Sequence, residues 1–201
     1  MVPLQSHSVR SMSIGYLIDD AAAAVWRGPM VMSALDTFIN KVSWGPLDVL
    51  LIDMPPGTGD AQITITQKLS LSGALIVSTP QELALSDARR GVTMFQKVHV
   101  PILGIVENMS YFVCGSCGAE SHIFGKGGAE KISKEMSIDV LGKIPLQTDI
   151  QEGSDRGIPL PVAHPDSATA AAYNNLAALV WKKLIDYDKK RESSEPRIRM
   201  T

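Results

Sequence analysis

Cys114 and Cys117 are the only cysteines in 201 residues, and they stand as Cys-x-x-Cys inside NMSYFVCGSCGAESHIFG, Asn108 to Gly125. Two thiolates at this spacing supply half of the four-thiolate shell usual for structural zinc or an iron-sulfur cluster. His122 offers a third ligand and His164 or a carboxylate a fourth, but no second Cys-x-x-Cys and no His-x-x-x-His spacing exists. The economical completion is a second copy of the same loop across a two-fold axis, because an isologous interface brings identical patches together. Three other readings stay open. A thioredoxin-like redox pair normally opens a helix, whereas glycines flank this motif on both sides. A structural zinc knuckle would draw on His122, and two inert loop thiols would need no ligand at all.

A second group lies in LDVLLIDMPPGTGD, Leu47 to Asp60, which has the form of a Walker B strand followed by a switch loop. A buried parallel strand over Leu47–Ile52 would deliver Asp53 to its carboxyl edge, where a carboxylate can hold magnesium or its waters. Gly57 and Gly59 let the backbone approach a terminal phosphate, and Asp60 either caps the next helix or positions a water. The plain alternative is a strand that ends in a tight Pro-Gly turn. A phosphate cradle of the form G-x-x-x-x-G-K-[ST] is absent from these residues. Its nearest imitation is GKGGAEKIS, Gly125 to Ser133. There Glu130 replaces the last glycine and Ile132 replaces the hydroxyl that would reach magnesium. It reads as the glycine-rich start of a helix.

The elements that must position these residues follow from the apolar pattern. Short apolar runs alternate with helical periodicity, which is the signature of parallel β-α units and of an α/β, doubly wound, mostly parallel sheet. Strands are predicted near Ser13–Leu17, Leu47–Ile52, Ala74–Ser78, Ile102–Val106 and Val140–Gly142. Helices are predicted over Val31–Val42, Asp60–Leu69, Ala84–Lys97, Ala129–Met136 and Ser167–Tyr187, the last capped by Asp166. Runs such as DVLLID and ALIVS lack alternation, as expected of strands covered on both faces. The stripe Ala171, Leu176, Leu179, Val180, Trp181 and Leu184 reads as core. Cys114 and Cys117 follow the strand in PILGIVE and are expected on a loop at the same sheet edge as Asp53. Residues 1–187 form one domain in this reading, and 188–201 a charged, flexible tail.

Composition bounds the function. With 45% hydrophobic and 20% charged residues the chain is of ordinary globular type. Nineteen basic against 21 acidic residues predict no nucleic-acid partner. No apolar run approaches the roughly 18 residues of a membrane span. Neither a signal peptide nor a transit helix is legible at the start.

VWRGPM, DVLLIDMPPGTGD, VSTPQ, ENMSYFVCGSCG and HIFGKGGAE, in this order from about Met12 to Tyr187, resemble the Mrp/ApbC group of deviant P-loop ATPases, which are iron-sulfur cluster carriers. Within it the likeness is greatest to the mitochondrial, nucleotide-binding-protein-like branch that assists assembly of respiratory complex I. The resemblance implies a homodimer that holds a labile [4Fe-4S] cluster between paired Cys-x-x-Cys loops and passes it to apo iron-sulfur proteins, complex I subunits among them, in the mitochondrial matrix. It makes Cys114 and Cys117 the cluster ligands and Asp53 the Walker B carboxylate. Gly57, Gly59 and Asp60 become the switch loop near the γ-phosphate, and Asn108 the residue that reads adenine. On local grounds a strand-end turn cap explains Asn108 nearly as well. Arg27 falls in a first switch-like loop, although a surface ion pair is the commoner fate of an arginine.

Members of that group begin with a strand and a Gly-Lys-Gly-Gly-x-Gly-Lys-Ser loop, which these 201 residues lack. The resemblance therefore implies an N-terminally truncated P-loop fold with weak or absent Mg-ATP binding and no hydrolysis by this chain. Strand neighbours left unpaired and helix faces left uncovered would make it marginally stable or prone to aggregate. Two competing classes remain: an NTPase of the cell-positioning or arsenite-pump type without a cluster, and a zinc-stabilised or inactive fragment that dimerises with a complete homologue.

Overall fold

The computed structural model describes residues 1–17, 28–55, 57 and 59–194. They fall into two compact units, one spanning Met1–Leu69 and the other beginning at Ser70.

The first unit opens with an antiparallel hairpin of β1 (Leu4–Ser6) and β2 (Val9–Ser11). His7 and Ser8 take positive φ values of 48° and 63° at its turn, as a tight primed hairpin turn requires. Ser13–Leu17, predicted as a strand, instead coils into a 3-10 turn over Ile14–Leu17. Its cause is local: the Tyr16 amide donates to the Ser13 carbonyl and the Gly15 amide to the Ser13 hydroxyl, so one serine satisfies the backbone without a sheet. Helices α1 (Gly28–Asn40) and α2 (Asp60–Lys68) pack together and are tied by the Lys68–Asp36 ion pair at 2.8 Å.

Leu47–Ile52, the predicted Walker B strand, forms no strand. Among the described residues no neighbouring strand offers it ladder hydrogen bonds, and an apolar run alone cannot supply them. Leu51 is consequently 86% exposed, and Asp53 stands exposed outside any helix or strand. The expectation that DVLLID is covered on both faces fails for the same reason.

The second unit is a parallel sheet in the order β3 (Ala74–Ser78), β4 (Ile102–Glu107), β7 (Val140–Lys143). Helix α3 (Glu82–Lys97) makes the crossover from β3 to β4. It buries Leu85, Ala88, Val92 and Phe95, spaced three to four apart, together with Met94. After β4 come the short antiparallel strands β5 (Phe112–Val113) and β6 (Glu120–Ser121), then α4 (Gly128–Met136), which buries Ala129 and Ile132. Helices α5 (Thr148–Asp155), α6 (Leu160–Ala163) and α7 (Ala168–Ser194) follow β7.

Leu103, Val106, Leu141 and Ile144 form a cluster covered by Ile150 and by Ala172, Tyr173, Leu176, Val180 and Leu184 of α7. The four-residue steps from Leu176 to Leu184 explain the predicted stripe. Ala171, which is exposed, and Leu179 and Trp181, 44% and 49% exposed, lie off it and are not core. The α7 cap is Ser167, whose hydroxyl accepts from the Ala170 amide at 3.1 Å, and not Asp166. The helix runs on through Asp188–Ser194, where lysine, arginine and glutamate favour helix in their own right. Within the sheet, β4 is buried from Leu103 to Glu107, as its unbroken apolar run predicts. β3 alternates: Ala74, Ile76 and Ser78 are buried, whereas Leu75 and Val77 are 38% and 59% exposed. Only one of its faces is covered, against the reading of ALIVS as buried on both.

Candidate functional site

Strand β4 leads directly into the cysteine segment. Past Glu107 the Asn108 amide donates to the Ser78 carbonyl at 2.8 Å, and the Asn108 side-chain oxygen accepts from the Met109 amide at 3.0 Å. Met109 has φ 53°, so this side chain caps the turn at the strand end. Ser110 then donates its amide to the Ile144 carbonyl at 2.9 Å, the Leu146 amide donates to Tyr111 at 2.7 Å, and Phe112 bridges to Leu146. These bonds root the β5–β6 hairpin on the chain just beyond β7.

Both cysteines sit at the hairpin tip. The Cys114 amide donates to the Ala119 carbonyl at 2.9 Å, and the Gly118 amide donates back to the Cys114 carbonyl at 2.8 Å. Gly118, at φ +72°, closes the turn in a conformation that a side chain would strain. Cys114 is half-buried and Cys117 exposed, and both are free thiols. The Ser116 amide, then the Cys117 amide and thiol, hydrogen-bond the Cys114 sulfur and hold its pKa below the ordinary cysteine value, against a smaller opposing effect of burial. Donors aimed at sulfur favour the thiolate, which is the form that binds metal. The pair lies in a loop, as its flanking glycines predict, and not at a helix start; that the loop is the tip of a hairpin was not predicted.

His122 does not join them. One ring nitrogen, Nδ1, lies 3.1 Å from the Ser110 carbonyl, and Nε2 lies 3.4 Å from a Glu120 carboxylate oxygen, so the ring is held at the hairpin base. His164 lines an open cleft of about 550 Å³ between Gln147 and Thr169 that includes neither cysteine. Among the described residues no group of three or more His, Cys, Asp or Glu is arranged to hold a metal ion. Among the described residues the two thiols have no third His, Cys, Asp or Glu arranged beside them.

One of the most buried polar groups of this region was not singled out by the sequence. Glu107, 1% exposed, accepts from the Ser110 hydroxyl at 2.5 Å through one carboxylate oxygen and from the Ala129 amide at 2.7 Å through the other. Its signal was a carboxylate that ends an otherwise apolar buried strand, PILGIVE. The Ala129 amide belongs to the first turn of α4, so Glu107 fills the anion-favouring end of that helix. The GKGG stretch before α4 is accordingly a helix start, with Gly127 in the left-handed region and Gly128 packed on Pro80.

The predicted nucleotide residues Asp53, Gly57, Gly59 and Asp60 all lie in the first unit. Gly57 has φ +99°, which only glycine adopts freely. Gly59 holds the N-cap position of α2, so Asp60 is its first helical residue and not its cap. From inside α2 the Gln62 side-chain amide donates to the Pro55 carbonyl at 2.8 Å and ties the loop to the helix. Arg27 lies outside the described residues.

Residues 1–181 match the ParA-type family described as NUBPL iron-transfer P-loop NTPases. Across its whole length the chain is 52% identical to the Arabidopsis thaliana iron-sulfur protein required for NADH dehydrogenase, mitochondrial, and it spans 63% of that protein. Over 92% of the chain, identity to the iron-sulfur cluster carrier protein of Escherichia coli K12 is 47%, across 50% of the bacterial protein. Among solved structures, a nucleotide-binding protein of Archaeoglobus fulgidus in complex with ADP superposes with a TM-score of 0.66 at 36% identity, covering 83% of this chain and 63% of that one.

Proposed function

Because the chain belongs to the NUBPL iron-transfer P-loop NTPase family, we propose that it carries an iron-sulfur cluster on Cys114 and Cys117 and hands it to apo-proteins. The observation that carries this reading is the hairpin tip, where amides stabilise one thiolate and the neighbouring thiol faces solvent. Two thiolates from each of two copies complete a [4Fe-4S] shell across a two-fold axis. Transfer is then ligand exchange without redox change: incoming thiolates of the recipient replace Cys117 first, because it is exposed, and Cys114 after it.

In the first unit, Asp53 is the residue to hold magnesium, and the loop from Gly57 to Asp60 the segment to sense a terminal phosphate. In a homologue with a phosphate cradle, nucleotide state would then bias how two copies approach, whereas these 201 residues contain no such loop and carry the cluster without that switching. Asn108 is the residue to read the adenine edge with its side-chain amide group, since its oxygen is engaged by Met109. The name of the Arabidopsis relative ties that protein to NADH dehydrogenase and to mitochondria. It supports apo subunits of respiratory complex I as recipients and the mitochondrial matrix as the place of work.

Anaerobic reconstitution tests the reading. About two irons and two acid-labile sulfides per chain are expected, half of a shared cluster, and both should be lost in Cys114→Ser. No iron, or zinc in its place, removes the proposal.

A further inference from the structure

Hairpins of two two-residue strands do not hold themselves together in water; three or more strands or a packed support are needed. The β5–β6 hairpin must therefore borrow its rigidity, and Glu107 is placed to lend it. One carboxylate oxygen clamps Ser110, where the chain enters the hairpin, and the other clamps Ala129, where the chain re-enters regular structure after leaving it. Ser110 is itself 1% exposed and passes the constraint on, since its carbonyl faces the His122 ring on the exit side of the hairpin. Both ends of the excursion that presents the two thiols are thus pinned by one buried side chain.

Charge suits the arrangement. The amide of Ala129 lies at the positive end of α4. Lys143 is the register partner of Glu107 across β4 and β7 and is ion-paired to Glu130 in the first turn of α4. The group therefore accepts from one helix-end amide and one hydroxyl, with a lysine at its register position on β7. Three local donors and charges explain why a carboxylate can end a fully buried strand.

We infer that Glu107 is a positioning residue for the cysteine pair, setting how long the hairpin holds its metal cargo without touching that cargo. The inference rests on the proposed carrier function. Supports one step behind metal ligands usually change affinity about 10–100-fold when removed.

Two measurements on the full chain test it: hydrogen exchange at the hairpin amides of Cys114 and Gly118 in the metal-free protein, and the half-life of the reconstituted cluster in the presence of a chelator. In Glu107→Ala, hairpin protection and cluster half-life should both fall about tenfold or more, while protection of β4 stays as in the parent. Glu107→Gln should recover most of both, because its amide can donate to the Ser110 hydroxyl while its oxygen still accepts from Ala129. Should the alanine variant fail to fold, Ser110→Ala removes the same link from the other side and is expected to shift both readouts in the same direction. Unchanged hairpin protection, or lost protection with an unchanged cluster half-life, overturns the inference. A parent chain that retains no iron refutes the carrier function alone, and hairpin exchange then decides the positioning role of Glu107.

Discussion

At the scale of single residues, the contrast between the two cysteines matters most. Cys114 receives the Ser116 and Cys117 amides, so its thiolate persists to lower pH than that of an ordinary cysteine. The sign is fixed: hydrogen bonds to the charged form lower the pKa, so alkylation of Cys114 should lose half its rate at a pH below that of a free thiol peptide. Mass-resolved alkylation from pH 5 to 10 checks this, and a midpoint at or above the peptide's would contradict the hydrogen-bonded geometry. Glu107 makes a different point at the same scale. Its type was visible in PILGIVE, but a glutamate at a strand end more often reaches solvent, and nothing near it in sequence named Ala129, 22 residues on, as its partner.

Among elements, α4 shows how a motif-like string is decided by packing. GKGGAEKIS was legible as a helix start because Glu130 and Ile132 occupy places that a phosphate cradle cannot spare. Why Gly128 is needed was not legible. A Cβ there would come within 2.9 Å of the Pro80 Cα and carbonyl and 3.0 Å of the Leu85 side chain. Gly128→Ala should therefore destabilise the second unit by about 1–3 kcal/mol through overpacking, despite alanine's better helix propensity. Urea unfolding measures it, and a stabilised variant would mean that α4 is free to shift. The Leu47–Ile52 segment is the opposite case. Its pattern is as strand-like as that of β3, but ladder partners must come from elsewhere in the fold, and the described residues provide none.

For the whole molecule, two consequences follow, one from the exposed face of β3 and one from the lack of a phosphate cradle in these residues. Among the described residues strand β3 has β4 as its one hydrogen-bonded neighbour, and it exposes Val77 and Leu75 on one face. An edge with apolar outward residues templates association with further chains. Val77→Lys should then lower light scattering of concentrated protein while cluster loading stays the same, and unchanged scattering would locate the sticky surface elsewhere. Nucleotide affinity is the second consequence. These 201 residues contain no G-x-x-x-x-G-K-[ST] loop to wrap phosphates, and the anion-favouring end of α4, behind the GKGG stretch, is already filled by Glu107. Calorimetric titration of this chain with Mg-ATP should show no micromolar binding, and a micromolar constant would require a cradle built from other residues.

What the sequence determined on its own is what short-range pattern can carry. The helices α3, α4 and α7 and the strands β3, β4 and β7 lie where periodicity put them, because 3.6-residue and extended apolar patterns are written within a dozen residues. The Cys-x-x-Cys pair and its loop were equally local, fixed by two thiols and their flanking glycines. Only the tertiary structure decided which apolar runs become strands, which face of β3 is covered, that His122 turns to the hairpin base, and that Glu107 joins Ser110 to Ala129. In each of these the deciding partner is remote in the chain, and a hydrogen bond or a covered face exists only once the fold has brought that partner within reach.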